Sequence, residues 1–294
     1  MRDRSDSSNP THQLESPEDF YTLQKHIFEL YHLGKYRAAL TLADKAAARF
    51  PGKDDRTTYW KACLYSRLGE LDEALQLLNE ATRRGLWWSE EWLKFETDLD
   101  LVRERPEFKI FLAECNRLKH AAGATAKPEL IVLTPTDYSL GEVLPLMIVL
   151  HPRGEDFEDF VRLWKHAMSK GIIVGFPRSS QLFSSHSRCW DELARSEREV
   201  ADAYSQLKSK YKLNQKKIIL AGFSQGATLA IYLAMKRSLP VLGFIAVAPA
   251  STIIPSHSEE FLSFVKATKS PGLKGWLLVG DKDRFFERIE ILSL

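Results

Sequence analysis

The sequence predicts an α/β fold: a mostly parallel sheet covered by helices on both faces, preceded by a separate all-α domain. Three observations predict it. From Phe20 onward the pattern is helical and repeats itself. Beyond residue 128, short apolar runs rich in β-branched residues alternate with amphipathic stretches. Those runs are apolar on both faces, as in strands buried between two helical layers.

A chain of 294 residues has room for two domains. The pattern divides it into a polar tail over 1–17, a helical domain over 18–120, a linker over 121–128 and an α/β domain over 129–294. The tail is rich in Ser, Asp and Pro, lacks the apolar core of a signal peptide and is expected to be disordered. The apolar run Leu144–Leu150 is too short to span a bilayer, so no membrane span is expected and the expected location is cytoplasmic. Net charge is +2, from 41 basic and 39 acidic residues interspersed along the chain, which gives no electrostatic case for nucleic acid. Cys63, Cys115 and Cys189 are odd in number and far apart, so neither a disulfide framework nor a zinc site can be built from them. With no H-E-x-x-H, paired C-x-x-C, P-loop or G-x-G-x-x-G, no metal and no cofactor is expected.

In the helical domain Gly34, Tyr36, Ala39, Leu40 and Ala46 recur 35 residues later as Gly69, Leu71, Ala74, Leu75 and Ala81. Small residues let paired helices approach, and each glycine turns the chain between them. Over residues 20–85 this resembles the tetratricopeptide repeat, whose period is about 34 residues. Pro51 stands where that family closes a unit. Two such units leave an apolar face open. The segment from Trp87 to Leu118, with Trp88, Trp92, Phe95, Phe108 and Phe111, can cover it. Those aromatics read either as anchors for a protein or peptide partner or as packing. Packing is the expectation, because aromatic stripes at helical spacing are usually core.

The expected strands are Glu129–Leu133, Leu144–Leu150, Ile172–Phe176, Lys217–Gly222, Leu242–Val247 and Gly275–Val279. Helices are expected over the segment containing Leu193, Val200, Tyr204, Leu207 and Tyr211, and over Ala227–Lys236. In such sheets reactive groups gather at the carboxyl ends of the strands.

There the chain reads Gly222-Phe223-Ser224-Gln225-Gly226, between a buried strand and a helix. G-x-S-x-G in a strand–turn–helix setting makes the serine a candidate nucleophile: the glycines allow a tight turn that lifts its hydroxyl above the sheet. The helix start aims free N–H groups at developing negative charge. Together with His151-Pro152-Arg153-Gly154 after an apolar strand, the motif resembles the phospholipase/carboxylesterase group of α/β-hydrolases, which includes acyl-protein thioesterases. The resemblance covers residues 129–294 and implies hydrolysis of small carboxylic esters or thioesters through an acyl-serine intermediate.

The resemblance also implies two oxyanion donors. One is the backbone N–H of Gln225. The other lies in the loop after Leu150, where Pro152 has no N–H and Arg153 is the better donor. His151 is read as an orienting or structural residue. In Ser187-Arg188-Cys189-Trp190-Asp191, Trp190 is expected to line the acyl pocket, Asp191 to cap the next helix and Cys189 to pack. Asp283 matches the spacing of the triad acid, with Asp281 a turn residue and reserve.

The family order is serine, acid, histidine. Arg284 to Leu294 contain no histidine, and His257, the sole histidine after Ser224, precedes the acid and would have to fold back over the site. Phe285–Leu294 reads as the helix before a final strand, so the chain is expected to be a C-terminally shortened family member with weak or no activity. The alternative is a non-catalytic protein that binds partners through its repeats.

Overall fold

The computed structural model describes residues 19–139, 141–154, 157–250, 263–264, 267–268 and 272–283. The expectations for the tail, for His257 and for the helix over 285–294 fall outside them. The described part of the chain forms two compact units, one of residues 19–84 with 95–112 and one of residues 85–94 with residues from 113 onward.

In the first unit, helices α1 (Phe20–His32) and α2 (Tyr36–Arg49) form one pair, and α3 (Asp54–Arg67) and α4 (Leu71–Arg83) another. Asp19 caps α1 by accepting from the Thr22 N–H. Gly34 and Gly69 stand between the paired helices at φ 70° and 78°, a left-handed conformation that a side chain opposes. The helices meet over Leu23, Ile27, Ala39, Leu40, Ala43, Ala46 and Leu64. The three alanines are fully buried, and their small side chains let the backbones approach. Phe20 stacks on Trp60 at 5.5 Å between ring centres.

Aromatics between Trp87 and Leu118 divide between the two units. Phe108 and Phe111 are buried in the first, whereas Phe95 is 79% exposed. Trp87 and Trp88 are buried in the second, where Trp88 forms a β-bridge with Ser184. Trp92, at the start of α5 (Glu90–Phe95), stacks on Phe183 at 4.9 Å. Two further helices follow, α6 (Asp100–Arg103) and α7 (Pro106–Gly123). The last of these runs into the stretch read as linker.

The second unit is built on a sheet in the order β1-β3-β2-β4-β5-β6. Its strands are β1 (Glu129–Leu133), β2 (Leu144–Leu150), β3 (Ile173–Arg178), β4 (Leu213–Phe223), β5 (Gly243–Val247) and β6 (Lys274–Leu278). All pairings are parallel except β1 with β3. β2 shows why its sequence is apolar throughout. Leu146, Ile148 and Leu150 enter one core, with Val200, Tyr204 and Leu207 of α9 (Leu193–Lys210) and Leu229 and Leu233 of α10 (Gln225–Met235). Met147 and Val149 enter the other, with Phe157, Phe160 and Val161 of α8 (Phe157–Leu163). Each strand residue therefore packs against a helical layer, as period-2 alternation requires.

Bounds shift by one or two residues at β3, β5 and β6, and two strands depart further from expectation. β4 starts earlier, at Leu213, because that residue pairs with Leu144 before an irregularity that places Ile218 beside Leu146. The charged residues Lys216 and Lys217 lie exposed in the offset. The apolar run of β6 predicts a buried strand, yet Trp276 is 71% and Leu278 48% exposed. It is the outermost described strand, paired on one side to β5.

Candidate active site

β4 runs apolar through Leu220 and Ala221, turns at Ser224, and continues directly as α10. Ser224 holds φ 52° and ψ −117°, a conformation that costs a non-glycine residue energy and that only tight surroundings maintain. Those surroundings are visible. The Ser224 N–H donates to the Val247 carbonyl at 3.0 Å, and the Ser224 carbonyl accepts from the N–H groups of Thr228 at 3.1 Å and Ala250 at 3.2 Å. A Cβ on Gly222 would lie 2.4 Å from the Gly226 carbonyl oxygen, and one on Gly226 would lie 2.1 Å from that of Leu150. Both motif glycines are thus required by close backbone approach.

Ser224 is half-buried and forms the N-cap of α10, whose free N–H groups and dipole face its end of the sheet. Among the described residues, no side chain hydrogen-bonds the Ser224 hydroxyl.

Gln225 is 1% exposed, and its side chain turns away from solvent to hold the neighbouring segment. Its Oε1 accepts from the Trp190 N–H at 2.9 Å, and its Nε2 donates to Asp191 Oδ1 at 2.8 Å. The other oxygen of Asp191 accepts from the Arg153 guanidinium at 2.8 Å. Arg153 also donates to Glu91 at 2.6 Å and lies over the Phe183 ring at 4.7 Å. Burial works against the charge on Arg153, and the two carboxylates outweigh it and raise its pKa. Two expectations are corrected here. Asp191 does not cap α9; the cap position is Glu192, which makes no side-chain capping bond. Trp190 does not line an open pocket: it is fully buried, donates through Nε1 to the His151 carbonyl at 2.9 Å, and stacks on the His151 ring at 4.6 Å.

His151 is buried with both ring nitrogens engaged. Nε2 accepts from the Ser179 N–H at 3.2 Å, which leaves Nδ1, 2.9 Å from the Pro152 carbonyl, to carry the proton. Burial pushes the imidazole down to about 3, and the nearby guanidinium groups of Arg178 and Arg188 push the same way. The ring is a neutral post between β2 and the segment after β3. It is not a base.

Asp283 lies in the turn beyond the carboxyl end of β6, its N–H donating to the Gly280 carbonyl at 3.0 Å, and it is half-buried. Asp281 is exposed in the same turn. Because β4, β5 and β6 are parallel neighbours, Ser224 and the Asp283 turn emerge from the same edge of the sheet. Cys189 is buried and sits against the Gln181 carbonyl at 3.7 Å.

In the helical unit, Cys63, Glu96 and Asp98 bring a thiol and two carboxylates within 4.8 Å of one another. Tyr31 donates to Asp98 at 2.7 Å and Tyr59 to Glu96 at 3.2 Å, so each carboxylate accepts from a tyrosine hydroxyl.

Residues 185–270 match the phospholipase/carboxylesterase family model, and residues 19–123 match that of the A/B hydrolase-like N-terminal domain. The part of the chain that carries Ser224 is thus similar to the phospholipase/carboxylesterase family. The helical region is similar to a domain described as N-terminal in A/B hydrolase-like proteins. No curated protein matches the chain. Among solved structures, an uncharacterized protein from Bacillus cereus ATCC 10987 superposes with a TM-score of 0.43 at 23% identity, over 93% of this chain and 86% of its own. S-formylglutathione hydrolase (FrmB) from Staphylococcus aureus gives 0.42 at 15% identity, over 56% and 80%. A phospholipase/carboxylesterase from Dyadobacter fermentans DSM 18053 gives 0.40 at 14%, over 57% and 96%. Likeness of this degree carries no function across. No helix among the described residues is long and apolar enough to cross a membrane.

Proposed function

We propose that the chain is a serine hydrolase of small carboxylic esters or thioesters, working through an acyl-serine intermediate on Ser224. The observation that carries this reading is the strained backbone of Ser224, φ 52° and ψ −117°, between two glycines that admit no side chain. Strain of this kind persists where it serves a purpose, and here it lifts a hydroxyl off the end of β4 at a helix start.

In this reading the Ser224 Oγ attacks the acyl carbonyl and gives up its proton to a base. The carbonyl oxygen becomes an oxyanion, held by the backbone N–H groups of Gln225 and Arg153. Collapse expels the alcohol or thiol with a proton, and water then releases the acid from Ser224. Each oxyanion donor contributes on the order of 3 kcal/mol in related hydrolases. Asp283 would hold and stabilise the base.

His151 is unsuited to be that base, since both of its nitrogens are engaged. His257 is the sole histidine after Ser224 in the sequence, and it precedes Asp283.

The test is hydrolysis of p-nitrophenyl acetate by the full chain and by Ser224→Ala. Release of p-nitrophenol that disappears with the substitution is the expected result. Release at the same rate from both proteins overturns the reading.

A further inference from the structure

We propose that Asp191 is a positioning residue that sets the two oxyanion donors relative to each other. The inference rests on the reading of Ser224 as nucleophile.

Three pieces of chain meet at Asp191. The turn at Ser224 contributes Gln225, whose Nε2 donates to Asp191 Oδ1 at 2.8 Å. The loop after β2 contributes Arg153, whose guanidinium donates to Asp191 Oδ2 at 2.8 Å. The segment over 179–191 contributes Asp191 itself. So the side chains of the two donor residues converge on the two oxygens of one carboxylate.

The same segment holds the loop elsewhere. The Gly154 N–H donates to the Arg188 carbonyl at 2.9 Å, Trp190 Nε1 to the His151 carbonyl at 2.9 Å, and the Ser179 N–H to His151 Nε2 at 3.2 Å. These bonds fix the loop to the segment. Through the carboxylate of Asp191, the Gln225 side chain and the Arg153 guanidinium are also held to each other.

The chemistry at position 191 is dictated by its neighbours. The Trp190 N–H needs an acceptor, so Gln225 must present Oε1 to it and Nε2 to residue 191. Arg153 offers only donors. Residue 191 therefore faces donors on both sides and must accept on both, which a carboxylate does and a carboxamide does not. Asp191→Asn nearly preserves shape, but it sets an NH2 group against either Gln225 Nε2 or the guanidinium. Arg153 retains Glu91 as a partner, and the Trp190 and Gly154 bonds remain, so the fold should persist.

The experiment uses the full chain and an alkyl fluorophosphonate, whose phosphoryl oxygen must occupy the oxyanion position as Ser224 is phosphonylated. Asp191→Asn is expected to lower the maximal labelling rate, kinact, by about 10- to 100-fold, as misplacement of reacting groups does. The half-saturating concentration KI and the melting temperature should stay near wild type, which a merely structural role would not give. Arg153→Met should slow labelling comparably, and the double variant should be no slower than the worse single one, because the two residues act as a unit. Asp191→Asn labelling at the wild-type rate, or losses that add in the double variant, overturn the positioning role while leaving Ser224 standing. If Asp191→Asn does not fold, Arg153→Met decides alone, and wild-type labelling by it overturns the proposal. Absence of any Ser224 label in the wild type removes the nucleophile and the positioning role together.

Discussion

A Cβ placed on Gly226 would stand 2.1 Å from the carbonyl oxygen of Leu150, closer than any contact between such atoms permits. The last carbonyl of β2 and the start of α10 therefore fit only while residue 226 has no side chain. Gly226→Ala must push the helix off the sheet or distort the turn at Ser224. The expected cost is about 3 kcal/mol, the upper end for overpacking. Urea denaturation followed by tryptophan fluorescence measures it, and an unchanged midpoint would show that the turn can yield.

His151 makes stability depend on pH with a definite sign. Burial holds its folded-state value down at about 3, against an ordinary histidine value near 6.5. The unfolded chain thus takes up a proton between those values that the folded chain refuses. The stabilisation is fully present above about pH 6.5 and is lost as pH falls toward about 3, by up to about 1.4 kcal/mol per pH unit. His151→Gln has no proton to take up, so its melting temperature should fall less steeply from pH 6.5 to pH 4 than that of the wild type. Parallel curves would contradict the buried neutral assignment.

Gly69 separates backbone cost from crowding. Its φ is 78°, and nothing lies within 4 Å of where a Cβ would stand. Gly69→Ala should destabilise the helical unit by about 1–2 kcal/mol through backbone strain alone. Gly69→Asn should recover part of that, since asparagine tolerates the left-handed region better. Thermal melts of the two variants settle the order; equal losses would point to something other than the backbone.

Cys63, Cys115 and Cys189 are all buried. Burial pushes the Cys63 thiol well above its ordinary value, Cys115 up to about 12, and Cys189 upward as well, with the Asp191 carboxylate adding to the last. At pH 8 almost no thiolate is present, so the native protein should react negligibly with an aromatic disulfide reagent. All three thiols should titrate in denaturant. Fast reaction of one thiol in the native state would show that its burial is not maintained.

Much of the sheet is legible in the sequence because its strands are buried on both faces and bounded by turns. β1 and β2 fall on the expected residues, and the Ser224 turn stands out because its glycines are needed sterically. What stays hidden is which polar groups find each other across the fold. Asp191 sits one residue before the cap position of α9 and so reads locally as a cap. Its partners, Arg153 and Gln225, are 38 and 34 residues away in sequence, and no local pattern announces them. The family resemblance puts Trp190 in the lining of an acyl pocket. The ring instead finds an acceptor at the His151 carbonyl, which makes full burial of an indole N–H tolerable. The exposure of Trp276 on β6 likewise has no signature in an apolar run, because periodicity reports strand formation and not what covers the strand.

The most direct test of the nucleophile is to locate the covalent adduct. The full chain is treated with an alkyl fluorophosphonate, digested, and the modified peptide sequenced by mass spectrometry beside a Ser224→Ala control. A single phosphonylated site at Ser224, absent from the control, is the predicted result. A folded protein that takes up no label, or takes it up elsewhere and equally in Ser224→Ala, would contradict the assignment of Ser224 as the reacting group.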